Sequence, residues 1–359
     1  MTRRLLVIVV MLFSSSVALA ATQIPEEQKE SFRKIKLVKI AVSQSYEYAG
    51  RRFSLPIEKI ASELFRYAGV ETAKGRRAQP DGVLTIGVEG IGFTEDVYNP
   101  VYGMQSSMPT SGHLSGTIKL EAPGTPAYTT GFSDSFDASV LNFVDPIGEM
   151  RDGYKKVLVA KCIPEIADIL WQLYGIDPLL AAMASDEEMV RMGVSTELRK
   201  LKDPKAVEPL IAMLEAGSGA GTYSVANVLG ALGDARAVEP LIRALGHKDL
   251  AVRACAAVAL GELGDARAVE PLIRVLGDKD ALVSACAASA LGELGDLRAV
   301  EPLSEKLRSV SDPWKKAFSA ALAALTAERP QQPAESPAAG TDTQQSSPEE
   351  AGKGSKPAP

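Results

Sequence analysis

The chain predicts a multidomain protein: a small mixed α+β domain, then an α-solenoid of five helix pairs, then a disordered tail. Three observations predict it. A nine-residue phrase returns every 31 residues through the second half of the chain, and a fixed period of that size marks stacked supersecondary units. Residues 21–171 alternate short Ile/Val-rich runs with one helical pattern and show no repeat. After residue 326 the composition turns to Pro, Gln, Ser, Ala and Gly.

With 359 residues, 39 Lys plus Arg against 45 Asp plus Glu, and 46% hydrophobic residues, the chain can bury two or three domains' worth of core. A formal charge of −6 gives no basic face for nucleic acid. Two histidines leave little room for His-built metal centres or His-based proton transfer.

Residues 1–20 read as a signal peptide. Arg3 and Arg4 precede an apolar run, Leu5 to Phe13, and Ala18-Leu19-Ala20 forms an A-x-A site with cleavage expected after Ala20. A run this short does not span a bilayer core, which needs about 20 residues. The expected mature form is acidic, has no membrane span, and is exported, to a bacterial periplasm.

In residues 21–171 a strand is expected over 35–42. A helix follows over Ile57, Ile60, Ala61, Leu64, Phe65 and Ala68, with Ser54 as its N-cap. Strands follow near 82–93, 114–121 and 127–135. The stretch 95–113, with Tyr98, Tyr102, Met104 and Met108 among Gly, Ser and Pro, reads as a long exposed loop. A final helix over about 153–174, kinked at Pro164, leads into the repeats.

The repeat units are 172–202, 203–233, 234–264, 265–295 and 296–326. Asp203-Pro-Lys-Ala-Val-Glu-Pro-Leu-Ile211 recurs from Asp234, Asp265 and Asp296, and blocks 234–264 and 265–295 share 25 of 31 residues. In unit three, Val238, Leu241, Ile242 and Leu245 make one helical face. Gly246 is expected as a left-handed stop and Asp249 as an N-cap. Val252, Cys255, Ala256, Ala259, Leu260 and Leu263 then make a second helix, ended by Gly264, and Asp265 caps the next unit. Pro240, Pro271 and Pro302 should bend the first helices or tighten their first turns. Trp171, Tyr174, Trp314 and Phe318 are expected to cap the two ends of the stack. Cys255 and Cys286 sit one period apart as small core residues, with no disulfide expected.

Arg-Ala-Val-Glu-Pro-Leu-Ile with Ala-Val-Ala-Leu-Gly-Glu-Leu-Gly-Asp resembles the HEAT-like repeats of the phycobilin-lyase type, over about 172–326. The resemblance implies a right-handed α-solenoid used as a protein-binding scaffold. It also implies an alternative, an enzyme or maturation factor like the deoxyhypusine hydroxylases or bilin lyases. Deoxyhypusine hydroxylases hold iron through His-Glu pairs; here His113 precedes Leu114 and His247 precedes Lys248, so that site does not carry over. The expected function is therefore a non-catalytic scaffold binding another envelope protein, with no cofactor, no metal and no catalytic residue.

Other patterns carry less. Gly87 to Gly92 is loosely glycine-spaced within a strand, not a phosphate fingerprint. Cys162 beside Lys161 has no His nearby. Glu262 and Glu293 recur once per unit and should face solvent. Arg236 with Glu239, and Arg267 with Glu270, should form surface i,i+3 pairs. The candidate partner-binding stripe is Arg191, Thr222, Arg253, Ser284 and Lys315, one repeat position near the start of each second helix. It would form a polar row along a concave groove, unless Arg253 pairs with Asp249 or with an acid of the next unit.

Overall fold

The computed structural model describes residues 23–48, 51–53, 56–74, 78–99, 104–137, 149–217, 221–310 and 314–326. The signal segment, Ser54, Tyr102 and the tail lie outside them. In the N-terminal part the order is α1 (Glu26–Arg33), β1 (Leu37–Tyr48), β2 (Arg51–Phe53), α2 (Ile57–Tyr67), β3 (Glu71–Thr72), β4 (Gly82–Asn99), β5 (Met104–Ala122), β6 (Thr125–Asp137) and α3 (Glu149–Tyr174). The strands form one sheet in the order β2-β1-β4-β5-β6, with β3 pairing the start of β1. β1 and β4 are parallel; β4, β5 and β6 form an antiparallel meander.

Period-two alternation gives the sheet one buried face. Val38 and Ile40, then Leu84, Ile86 and Val88, then Ile118 and Leu120, then Tyr128 and Thr130, are buried. They lie in register: Ile40 opposite Leu84, Ile86 opposite Ile118, Leu120 opposite Tyr128. The buried side of α2 (Ile57, Ile60, Ala61, Leu64 and Phe65) and Phe32 of α1 belong to the same apolar core.

The structure departs from the sequence reading here in three places. The expected loop over 95–113 is strand: β4 runs on to Asn99 and β5 starts at Met104, paired from Asn99 opposite Met104 inward. Pro109, which has no N–H for a ladder, lies opposite Thr94, where the register shifts between Phe93 and Thr94; a bulge accommodates it. Helix α1 was not expected; it has acidic residues in its first turn, Arg33 in its last, and only Phe32 buried. The residue before α2 is Pro56, with no side-chain cap.

α3 runs unbroken through Pro164 and joins the sheet to the repeats. The Gln172 side chain accepts from the Ile24 N–H at 2.6 Å and donates to Asp168 at 2.7 Å. The Arg33 guanidinium donates to the Leu173 carbonyl, the Ser185 hydroxyl to Glu63, and Lys59 pairs with Glu187. Buried side chains of the sheet, α3 and all five units form one continuous apolar core.

The five helix pairs are α4 (Asp177–Ala182) with α5 (Glu188–Leu201), α6 (Val207–Ala216) with α7 (Thr222–Leu232), α8 (Val238–Ala244) with α9 (Leu250–Leu263), α10 (Val269–Val275) with α11 (Ala281–Leu294), and α12 (Val300–Ser309) with α13 (Lys315–Thr326). A 3₁₀ turn opens units two to five, and Asp203, Asp234, Asp265 and Asp296 cap those turns by accepting from the N–H two residues on. Pro240, Pro271 and Pro302 follow as third residues of their α-helices, where an absent N–H costs nothing. Gly264 and Gly295 end their helices at φ 69° and 70°. Gly246 does not: α8 gives way to a turn at right-handed Leu245, and Gly246 N–H donates to the Arg243 carbonyl.

The second helices approach one another at glycine. A Cβ at Gly230 would fall 2.7 Å from the Ala259 Cα, one at Gly261 2.9 Å from the Ala290 Cα, and one at Gly292 3.0 Å from the Ala321 Cα. The first helices are bridged instead by long Arg and Glu side chains. The second helices form one layer of the stack, called inner below, and the first helices the other, called outer. Phe318 is buried in the last unit, and Trp171, Tyr174 and Trp314 pack half-buried against the core.

Leu260 is fully buried. Leu260→Ala should lower unfolding free energy by about 2–5 kcal/mol in denaturant titrations; an unchanged midpoint would mean the helix faces are misassigned.

Candidate interaction surface

The stripe expected to face a groove is mostly a buried seam. Arg191, Thr222, Arg253 and Ser284 are buried, and only Lys315 is exposed. The reason is local: in units one, three and four the turn between the two helices folds back over the first turn of the second helix, where its carbonyls accept from Arg191, Arg253 and Ser284. Arg253, 5% exposed, donates from Nε and Nη2 to Asp278 at 2.8 and 3.1 Å and from Nη2 to Asp280 at 2.7 Å. Its Nη1 donates to the carbonyls of His247 and Lys248. The arginine thus bonds acids of the next unit, not Asp249, whose carboxylate caps α9 through Ala251 N–H at 2.8 Å. Burial alone would raise the Asp278 carboxyl, but the Arg253 bonds and the Asp280 N–H hold it below its usual value. Ser284 donates to the Leu276 carbonyl at 2.7 Å.

The outer charges also differ from the expected i,i+3 pairs. Arg236 reaches Glu208 at 2.7 Å, Arg267 reaches Glu239 at 3.5 Å, and Arg298 reaches Glu270 at 3.2 Å. Each therefore pairs with the unit before it, because the 3₁₀ turn aims the side chain backward along the stack. Each also binds the aspartate two residues earlier, and the Arg236 bonds hold Asp234 down to about 2. Exposed pairs of this kind contribute little individually.

The outward positions of the inner layer lie farther along the second helices. Thr196, Ser289 and Ala320 are exposed at one of them, where Val258 is half-buried; Lys200, Glu262, Glu293 and Ala324 are exposed at the other. The Glu262 and Glu293 carboxylates lean over the glycines of the preceding unit: a Cβ at Gly230 would lie 2.8 Å from Glu262 Oε2, and one at Gly261 2.6 Å from Glu293 Oε2. Partial burial pushes both carboxyls up. Arg199 of unit one reaches across unit two to Glu262 at 3.4 Å. The row thus runs from basic at Arg199 and Lys200 to acidic at Glu262 and Glu293.

Between α3 and α5 lies a second charged cluster, which sequence reading missed. Glu197 is 0% exposed, with neither carboxylate oxygen in a hydrogen bond. It occupies the repeat position of Val228, Ala259, Ala290 and Ala321, an acid among core positions, and that break in the repeat was its one sequence signal. Lys200 Nζ stands 3.5 Å away, and Asp168 and Glu165 of α3 add negative charge. Burial raises Glu197 to about 7, with Lys200 opposing and Asp168 and Glu165 adding to the shift. Asp168 and Glu165 are raised too, chiefly by burial.

Cys162, Cys255 and Cys286 are free and buried. Burial raises all three thiols, Cys255 and Cys286 to about 12, the opposite of an activated nucleophile. His247 is a turn residue whose Nδ1 accepts from the Asp249 N–H at 3.0 Å. Among the described residues, no group of three or more His, Cys, Asp or Glu is placed to hold a metal, and no helix is long and apolar enough to cross a membrane.

This geometry, helix pairs stacked at a fixed period through a shared core, defines an α-solenoid. A family model of HEAT repeats matches residues 221–278 and 256–325, so this part of the chain is a HEAT-repeat array. No curated protein sequence matches the chain. Among solved structures, a computationally designed armadillo repeat protein for modular peptide recognition is 16% identical, with 50% of this chain and 94% of that one covered and a TM-score of 0.34. The designed armadillo repeat protein YIII(Dq)4CqI is 20% identical, at 52% and 96% coverage and a TM-score of 0.34. The complex of CpcE and CpcF of phycocyanin lyase from Nostoc sp. PCC7120 is 21% identical, at 52% and 92% coverage and a TM-score of 0.30. Likenesses at these scores have no bearing on function.

The raised Glu197 carboxyl makes stability pH-dependent. Its folded value, about 7, lies above the ordinary 4.5, so the folded state holds the proton more tightly. The resulting stabilisation is fully present below about pH 4.5 and is lost as pH rises through 7. Glu197→Gln should be more stable than wild type at pH 8, by on the order of 1–3 kcal/mol, and should show a flatter pH profile in thermal melts. Equal profiles would contradict the assignment.

Proposed function

We propose that this protein is an exported, non-catalytic interaction scaffold whose HEAT array holds another envelope protein against its inner layer. The observation that carries the reading is the outward row of that layer. It offers exposed positions in units one, three, four and five on a floor of closely packed helices, with Glu262 and Glu293 held partly dry over the neighbouring glycines. Carboxylates already stripped of part of their water give up less hydration on meeting a cationic side chain, which favours a basic segment as the bound element. The Arg3-Arg4 start, the apolar run and the Ala18-Leu19-Ala20 site support export.

Cross-linking and pull-down from the native envelope should recover one dominant partner with wild type and lose it with Glu262→Lys/Glu293→Lys, while Lys315→Glu retains it. A partner kept by the double variant would move binding to the sheet or the outer helices. N-terminal sequencing of the exported chain should begin at Ala21; a chain beginning at Met1 would remove the export reading.

A further inference from the structure

Arg191 and Arg253 stand two 31-residue periods apart, at the same position of units one and three. Their side chains set out in the same way. Nη1 of Arg253 donates to the carbonyl of His247, and Nη1 of Arg191 donates to the carbonyl of Ser185, the residue two periods before His247. Beyond that contact they differ. In unit three, Nε is received by Asp278 at 2.8 Å and Nη2 by Asp278 and Asp280. The positions two periods before those aspartates hold Ala216 and Ser218, and neither is an acid.

Arg191 is nevertheless 4% exposed, and its Nε has no hydrogen-bond partner. An N–H left open on a buried guanidinium is unfavourable, so the absence of Asp278's equivalent calls for another anion. The surroundings suit one. Nε lies beside the start of α7: a Cβ on Gly221, the residue just before this helix, would lie 3.5 Å from it and 2.7 Å from the Met183 carbonyl oxygen. Gly221 supplies no side-chain cap, whereas Asp249 caps the equivalent helix of unit three, and a helix N-terminus attracts negative charge. Half-buried Tyr223 lies beside both Arg191 and Glu188, which act on its phenol with opposite sign.

We propose that Arg191, Tyr223 and the N-terminus of α7 form a receptor for one oxyanion, a carboxylate or a phosphate, in the place that Asp278 fills beside Arg253. The site follows from the internal comparison of two units and stands independently of the scaffold reading.

The test is thermal melting of the mature chain in acetate, in inorganic phosphate and in chloride at equal ionic strength. Acetate or phosphate at millimolar concentration should raise the melting temperature by several degrees over chloride and saturate as a single site. A response to acetate assigns a carboxylate, and a response to phosphate alone assigns a phosphate; either supports the receptor. Ala216→Asp/Ser218→Asp restores the two acids of unit three. It should melt higher than wild type in chloride and lose the anion response. Arg191→Gln should lose the response as well, and the restored-acid variant decides the matter if Arg191→Gln does not fold. No shift with either anion, or a shift that persists in the restored-acid variant, would overturn the proposal.

Discussion

The arrangement of the repeat array depends on how closely its second helices approach. Gly230, Gly261 and Gly292 each lie against the backbone of an alanine in the following unit, and no larger residue fits there without moving a helix. This contact fixes the separation of the inner layer, and the side chains on either side of it inherit their environments. Positions toward the helix start fall under the turns and are buried, as Arg253 and Ser284 are. Positions past the glycine emerge on the surface, as Glu262 and Glu293 do.

Charge is distributed along the same geometry. On the outer side, arginines of the 3₁₀ turns reach back to the preceding unit and share charge across exposed pairs. At the seam, one buried arginine gathers two aspartates of the next unit; removing one partner of such a cluster costs far more than losing an exposed pair. At the start of the array the pattern changes. Arg191 keeps the arginine without the aspartates, and Glu197 places an acid where later units have Val or Ala. Unit one is where the repeat departs most from its own rule, and it is also where the array joins α3 and the sheet.

Much of this was legible in the sequence. The period of 31, the helix faces and the caps at Asp249 and Asp265 follow from spacing and residue type alone. The long β4–β5 pairing was not, because Gly, Ser and Pro weigh against strand locally and the backbone pairing between Asn99 and Met104 outweighs that preference. Helix α1 escapes sequence reading because its eight residues, five of them charged, bury only Phe32. The Arg191–Lys315 stripe was placed on the correct repeat position but on the wrong surface. Helical spacing says which residues share a face; it does not say which turn folds over that face. Glu262 and Glu293 were visible as a recurring acid, and their closeness to the glycines required the packed helices.

Glycine-mediated contact between second helices holds the array as one body. Hydrogen exchange on Gly261→Val measures it most directly, because Gly261 of α9 faces Ala290 of α11. Exchange should become faster in α9 and α11 together, with the outer helices of the same units following. Unchanged protection in both helices, or a loss confined to the last turn of α9, would contradict it.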